Sequence, residues 1–181
     1  MSQVGFLPWV GDKYFESKPR ILILGESHYG QPEDYSNDFT QWVVNEYAVK
    51  PANRLRFFTT IANTITGHSG WMEDEKRSEF WHSVAFYNYI QELVGTGARI
   101  RPSDEMWVQA QALFFETLTT LKPEIVIVLG KELSWYVQDA LKNKVIGETH
   151  FCYWAHPAAP KYFKKEEYFK EIQEVKSRFK S

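Results

Sequence analysis

The chain has 181 residues, a formal net charge of −2 at pH 7 and one cysteine. This length fits one domain of ordinary size, so we expect residues 1–181 to form a single domain. The small negative charge excludes a surface coated in basic residues, and the single Cys152 excludes an internal disulfide and a cysteine-bound iron–sulfur cluster. With no signal peptide and no apolar run long enough to span a bilayer, we expect a soluble, cytoplasmic protein.

The first predicted strand runs directly into polar side chains. Residues 21–24 read Ile-Leu-Ile-Leu, a short apolar run typical of a strand buried on both faces of a parallel sheet. Open α/β folds bind their ligands at the carboxyl ends of such strands, so the polar residues that follow are candidate site residues. After Gly25 these are Glu26, Ser27, His28 and Tyr29.

The remaining predicted elements alternate between strands and helices. Residues 1–20 hold several aromatics without clear periodicity, which predicts an irregular N-terminal arm. Apolar spacing predicts further strands at 84–87, 125–129 and 151–154, and helices at 39–49, 55–65, 103–121, 131–142 and 163–179. The alternation predicts an α/β fold with three layers, α/β/α, around a central, mainly parallel four-stranded sheet.

Two more polar residues follow predicted strands. Asn88 interrupts the apolar and aromatic run of the second strand, where a buried amide needs hydrogen-bond partners. His156 follows the fourth strand and precedes Pro157. Because the carboxyl ends of parallel strands meet at one edge of the sheet, we expect Glu26, Asn88 and His156 to face one cleft.

The order of these motifs resembles that of the uracil-DNA glycosylase superfamily, especially its branch with a Gly-Glu-x-Pro-Gly first motif. Residues 25–29, Gly-Glu-Ser-His-Tyr, stand where the family has its water-activating motif. Asn88 stands where the family has an Asn after its second strand. His156-Pro157 matches the His-Pro-Ser motif.

Three further segments extend the resemblance over most of the chain. Phe39 stands where the family keeps a base-stacking aromatic, and Arg101-Pro102 is similar to its Arg-x-Pro segment. Residues 122–130 are similar to its Lys-Pro-x-aliphatic-Leu-Gly segment. The chain departs from the family at other positions. Ser27 replaces the catalytic Asp of the best-known branch, and the iron–sulfur cluster cysteines of the Gly-Glu-x-Pro-Gly branch are missing. The other replacements are His28 for a Pro and Ala158 for the Ser of His-Pro-Ser.

The resemblance implies a DNA-repair hydrolase that cleaves the N-glycosidic bond of a flipped uracil or other modified base. Its partner would be DNA, single- or double-stranded, and it would need no cofactor, metal or membrane; we expect a monomer. The implied catalytic residues are Glu26, which handles water, and His156, which stabilises the departing base. The implied substrate-binding residues are Ser27, His28, Tyr29, Phe39 and Asn88. The residues implied to contact nucleic acid are Pro157, Ala158, Ala159, Lys161, Lys164 and Lys165.

Two other functions use the same residues. An esterase of the Gly-Asp-Ser type would use Ser27 as nucleophile and His156 as base. That family, however, has an Asp three residues before the His, where this chain has Tyr153. It also has Gly and Asp near the Asn, where this chain has Phe86 and Tyr89. The second alternative is a module that binds nucleic acid or nucleotides without catalysis.

Overall fold

The structure is a computed structural model that describes residues 5–31, 33, 36–97 and 100–179. One five-stranded sheet organises the described residues, in the order β1-β3-β2-β4-β5. The strand β1 is antiparallel to β3, and the other neighbours are parallel. The strands are β1 Trp9–Val10, β2 Ile21–Gly25, β3 Ala85–Asn88, β4 Ile125–Leu129 and β5 His150–Trp154.

Within the described ranges, six α-helices accompany the sheet. They are α1 Phe39–Val44, α2 Arg56–Thr66, α3 Asp74–His82, α4 Asp104–Leu121, α5 Lys131–Leu141 and α6 Lys165–Ser177. A short 3₁₀ turn covers Tyr14–Glu16, and α1 continues as a π-helical stretch over Asn45–Val49. The Ser103 hydroxyl accepts a hydrogen bond from the Met106 N–H and caps α4, as the sequence predicts.

Two hydrophobic cores, one on each face of the sheet, confirm the predicted three-layer α/β/α fold. Alternate residues of β2 point to opposite faces, because successive side chains of a strand do so. Ile21 and Ile23 pack with residues of α1, α2, α3 and α6, and Leu22 and Leu24 pack with residues of α4 and α5. The central strands are buried along their whole length, which explains their unbroken apolar sequence.

The N-terminal arm corrects two details of the sequence prediction. It supplies β1, so the sheet has five strands rather than four, and the arm is not wholly irregular. Trp9 and Val10 pair with Phe86 and Ala85 of β3, and the Trp9 indole donates to the Trp81 carbonyl at 2.9 Å. Phe6 and Tyr14 of the arm are fully buried, so aromatic side chains pack the arm against the rest of the described chain.

Candidate functional site

A cleft of about 1150 Å³ lies at the carboxyl edge of the sheet. The residues that line it come from the ends of β2 and β3, from the start of α5, from α2 and from the loop after β5. Glu26, Asn88 and His156 all line this cleft, so the structure brings the three predicted strand-end residues together. A smaller cavity of about 630 Å³ lies near the residues that precede β2 and β4, and none of the predicted site residues lines it.

Glu26 follows the last residue of β2 and is half-buried. Arg101 donates to one of its carboxylate oxygens at 2.8 Å and also contacts Glu132 in the first turn of α5. Burial raises the pKa of Glu26, and the Arg101 hydrogen bond and charge oppose this rise. Glu26 is therefore a partly desolvated carboxylate held in place by a cation.

Asn88 is the last residue of β3 and is 4% exposed. Its backbone carbonyl accepts from the Gln91 amide at 2.6 Å, and Gln91 in turn accepts from the Phe6 N–H at 2.8 Å. Among the described residues the Asn88 side chain has no hydrogen-bond partner, although it borders the cleft. Because the residue lines the cleft, the donors and the acceptor of its amide are available to a ligand.

Gly25 leaves room for the Asn88 amide. The two residues are register partners in the parallel pair β2 and β3. A Cβ on Gly25 would lie 2.2 Å from Asn88 Oδ1 and 3.1 Å from the Phe86 ring. The glycine is needed here because the amide occupies the place of a side chain.

Gly25→Ala should therefore destabilise the protein by about 1–3 kcal/mol, the usual cost of overpacking, and displace the Asn88 amide. Urea denaturation measures the free energy of unfolding. Gly97→Ala is the matched control, because a Cβ there would meet open space. Equal stabilities of the two variants would show that the close contact between Gly25 and Asn88 is not restrictive.

His156 lies in the loop after β5, at the mouth of the cleft. Its Nδ1 accepts a hydrogen bond from the Ala158 N–H at 3.1 Å, so the neutral ring carries its proton on Nε2. The residue as a whole is exposed, but its ring packs on Phe57 with a centroid distance of 5.3 Å. Partial desolvation of the ring and the charge of Arg101 lower the pKa of His156. The ring is therefore a neutral donor at pH 7.

The three residues after Glu26 differ in environment. His28 is 6% exposed, and its Nε2 lies 2.7 Å from the Thr40 hydroxyl. The Ser27 hydroxyl is buried and has no hydrogen-bond partner within the described part of the chain. Tyr29 is half-buried. All three residues line the cleft, but His28 is tied to α1 through Thr40.

The buried His28 makes stability depend on pH. Burial lowers its pKa from 6.5 to about 4, so between these pH values the unfolded chain binds more protons than the folded one. His28 therefore leaves the free energy of unfolding unchanged above pH 6.5. As the pH drops toward 4, this group lowers the free energy of unfolding by about 3 kcal/mol. Urea denaturation at both pH values should show this loss reduced in His28→Gln. An identical loss in both proteins would contradict the assignment.

Three predicted site residues lie elsewhere or have other partners. Phe39 does not line the cleft; its ring stacks on Trp42 and meets the edge of His28, because it faces inward at the start of α1. Pro157 is buried, so it has no surface to offer to DNA. The Lys165 ammonium donates to the His68 carbonyl at 2.6 Å and thereby joins α6 to the loop after α2.

The other residues predicted to contact nucleic acid are accessible. Ala158, Lys161 and Lys164 are exposed, and Ala159 is partly exposed. Ala158 also lines the cleft, and the Lys161 ammonium lies 5.6 Å from the centre of the Tyr162 ring. A basic segment with an exposed aromatic thus follows the cleft.

No model of a known protein family matches the chain, and no curated protein is significantly similar to it. The function must therefore be argued from the cleft itself.

Sequence reasoning missed several residues of the cleft. Phe57 supports the His156 ring from α2, and Trp135 and Tyr136 line the cleft from α5. Trp135 is 60% exposed and lines the cleft, so its ring is available to a ligand. The Phe57-Phe58 and Trp135-Tyr136 pairs were the available signal in the sequence, because only one member of each pair could pack inward.

No metal site is evident in the ranges that the structure describes, where no three His, Cys, Asp or Glu side chains are grouped to hold an ion. A search of the same ranges finds no helix with both the length and the apolar character needed to cross a bilayer.

Proposed function

We propose that this chain is a DNA glycosylase-like enzyme that hydrolyses the N-glycosidic bond of a flipped uracil or other modified base. The observation that carries the proposal is the common cleft of Glu26, Asn88 and His156, walled by aromatic rings. The proposal includes a cytoplasmic location, because DNA lies inside the cell.

The cleft offers what recognition of a planar base requires. Phe57, Phe86 and Trp135 supply apolar and aromatic walls for the faces of the base. The unpartnered amide of Asn88 supplies one acceptor and two donors, which match the adjacent imide N–H and carbonyl of uracil. A base with a different edge would leave the buried amide unpaired, so this residue discriminates between bases.

His156 can stabilise the departing base. As the N-glycosidic bond breaks, negative charge develops on the base and spreads to its carbonyl oxygen. The Ala158 N–H holds Nδ1 of His156 as an acceptor, so the neutral ring presents its Nε2 proton as a donor. A preorganised donor to a developing anion is an interaction of the oxyanion-hole kind.

Glu26 is the general base for the attacking water in this proposal. Its carboxylate would orient a water molecule and accept a proton as the oxygen attacks C1′ of the sugar. The hydroxyl stays on C1′, the bond to the base breaks, and the base leaves with its bonding electrons and takes up a proton. The products are a free base and an abasic sugar.

The DNA backbone would run along the segment after the cleft. Lys161 and Lys164 are exposed there and can contact phosphates, while the small, exposed Ala158 lets the strand approach the cleft closely. Few phosphates would be neutralised, in agreement with the net charge of −2.

The two alternatives differ in their support. A binding module without catalysis is the second candidate, because Arg101 engages the Glu26 carboxylate that would otherwise accept a proton. The esterase is less well supported. The Ser27 hydroxyl has no hydrogen-bond partner among the described residues, His156 included, and His156 Nδ1 bonds to a backbone N–H rather than to a carboxylate.

Asn88→Asp tests the proposed base recognition. Aspartate conserves the volume of the side chain but loses the donors, so release of an imide base should fall by about 10- to 100-fold. The assay uses oligonucleotides that each carry one modified base, single- and double-stranded, and scores the abasic sites formed.

Asn143→Asp is the matched control for this variant, because it makes the same change at an exposed position after α5. An unchanged order of base preference in Asn88→Asp would show that the amide does not read the base.

A further inference from the structure

One guanidinium links the two carboxylates of the cleft. Arg101 donates from Nη2 to Glu26 at 2.8 Å and also contacts Glu132. Glu26 follows β2, Glu132 begins α5, and Arg101 lies just before α4. The contacts therefore join three elements at the carboxyl edge of the sheet, although the partners are 75 and 31 residues apart in sequence.

Backbone contacts anchor the chain before residue 98 and directly after Arg101, while residues 98–99 lie outside the described ranges. On the N-terminal side, the Val94 N–H donates to the His28 carbonyl at 3.1 Å, and Gly95 accepts from the Gly30 N–H at 3.0 Å. On the C-terminal side, Pro102 is buried and Ser103 caps α4. The first of these anchors is to the segment that carries Glu26. The Arg101 side chain is 49% exposed, so its link to Glu26 rests on the side-chain hydrogen bond and on the anchored start of α4 that directly follows it.

We propose that Arg101 is a positioning residue that holds Glu26 as an oriented carboxylate in the cleft, with Glu132 as the opposing charge on the same guanidinium. The inference deepens the proposed function and rests on it for the catalytic role of Glu26. The arrangement of the three charged groups does not depend on that role.

The charged and titratable groups around Glu26 determine whether each variant should raise or lower its pKa. These groups are Lys131, Glu132 and Tyr136 of α5, His156 of the loop after β5, and Tyr29 and the neutral, buried His28 of the segment that carries Glu26. Among the described residues, Arg101 is the group that bonds directly to the Glu26 carboxylate.

Without Arg101, burial and the repulsion from Glu132 would act on Glu26 unopposed and raise its pKa. The same change would raise the pKa of His156, which the charge of Arg101 lowers. Without Glu132, one of the causes that raise the pKa of Glu26 disappears, so its pKa should fall.

Base release measured against pH tests the inference, because the rate should fall as Glu26 is protonated. Arg101→Gln should move the acid limb to higher pH, and Glu132→Gln should move it to lower pH. On that limb, each pH unit of displacement changes the rate about tenfold. Arg101→Lys keeps the charge and should restore most of the wild-type profile.

Arg178→Gln is the matched control, because it breaks an exposed ion pair with Glu174 and should leave the profile unchanged. A loss of rate in Arg101→Gln that is the same at every pH would overturn the inference, since a purely structural role predicts that result.

A titration of Glu26 itself separates this inference from the proposed function. Its carboxyl carbon can be followed by NMR in protein labelled with ¹³C-glutamate, with the signal assigned by its loss in Glu26→Gln. Opposite displacements of this titration in Arg101→Gln and Glu132→Gln would support the inference even if no base is released, in which case the proposed function alone fails. An unchanged titration in Glu132→Gln, or in a folded Arg101→Gln, would overturn it.

Discussion

Glu26→Gln should lower kcat/KM for base release by about 10²- to 10⁴-fold, the usual cost of losing a general base. Glutamine has the same shape and can still bond to Arg101, but it cannot accept a proton from water. Because the change keeps the volume of a half-buried side chain, the fold should remain intact, which a melting curve checks. The expected effect is therefore on the rate rather than on stability.

Ser27→Ala is the matched control at the neighbouring position. The Ser27 hydroxyl has no hydrogen-bond partner within the described residues, so its removal should cost much less than the loss of the Glu26 carboxylate. The esterase alternative predicts the reverse order, because Ser27 would then be the nucleophile. If base release is retained in Glu26→Gln and lost in Ser27→Ala, Glu26 is not the general base.

His156→Ala should lower kcat by about 10²- to 10³-fold, as the loss of one oxyanion-hole donor does in other enzymes. The Ala158 N–H fixes the tautomer that exposes the Nε2 proton, and alanine removes that donor. The measurement is single-turnover base release with the oligonucleotide saturated by enzyme, which isolates the chemical step from binding.

His156→Gln provides the comparison, because its amide can still donate and should retain part of the activity. The ring of Phe57, on which the His156 ring packs, is left in place by both variants. A rate for His156→Ala within a few-fold of the wild-type rate would show that the imidazole does not contact the departing base.

The sequence predicts the fold well because the central strands are unambiguous. Ile21–Gly25 and Ile125–Leu129 are apolar throughout and short, which is typical of strands buried on both faces. The strand Trp9–Val10 was missed because two residues are too few to show any period, and its place is set by pairing with Phe86 and Ala85, more than 70 residues away.

The cleft was predicted only in part, for a physical reason. Strand topology alone brings Glu26, Asn88 and His156 to one edge, so a sequence pattern suffices for them. The direction of a single side chain depends on partners distant in sequence. The sequence predicts that Lys165 contacts DNA, but in the fold its ammonium bonds to the His68 carbonyl, 97 residues away. Phe39 likewise faces His28 rather than the cleft. The sequence places Arg101 in an Arg-Pro motif, but its link to Glu26 and Glu132 exists only in the folded chain.

Direct detection of free base is the measurement that tests the central claim most directly. The wild-type protein is incubated with the oligonucleotide panel, and free bases and abasic strands are quantified together by mass spectrometry. We predict equal amounts of free base and abasic strand from at least one modified oligonucleotide, and a rate far below wild type with Glu26→Gln. Binding of oligonucleotides without release of a base from any of them would contradict the claim and establish the cleft as a binding site alone.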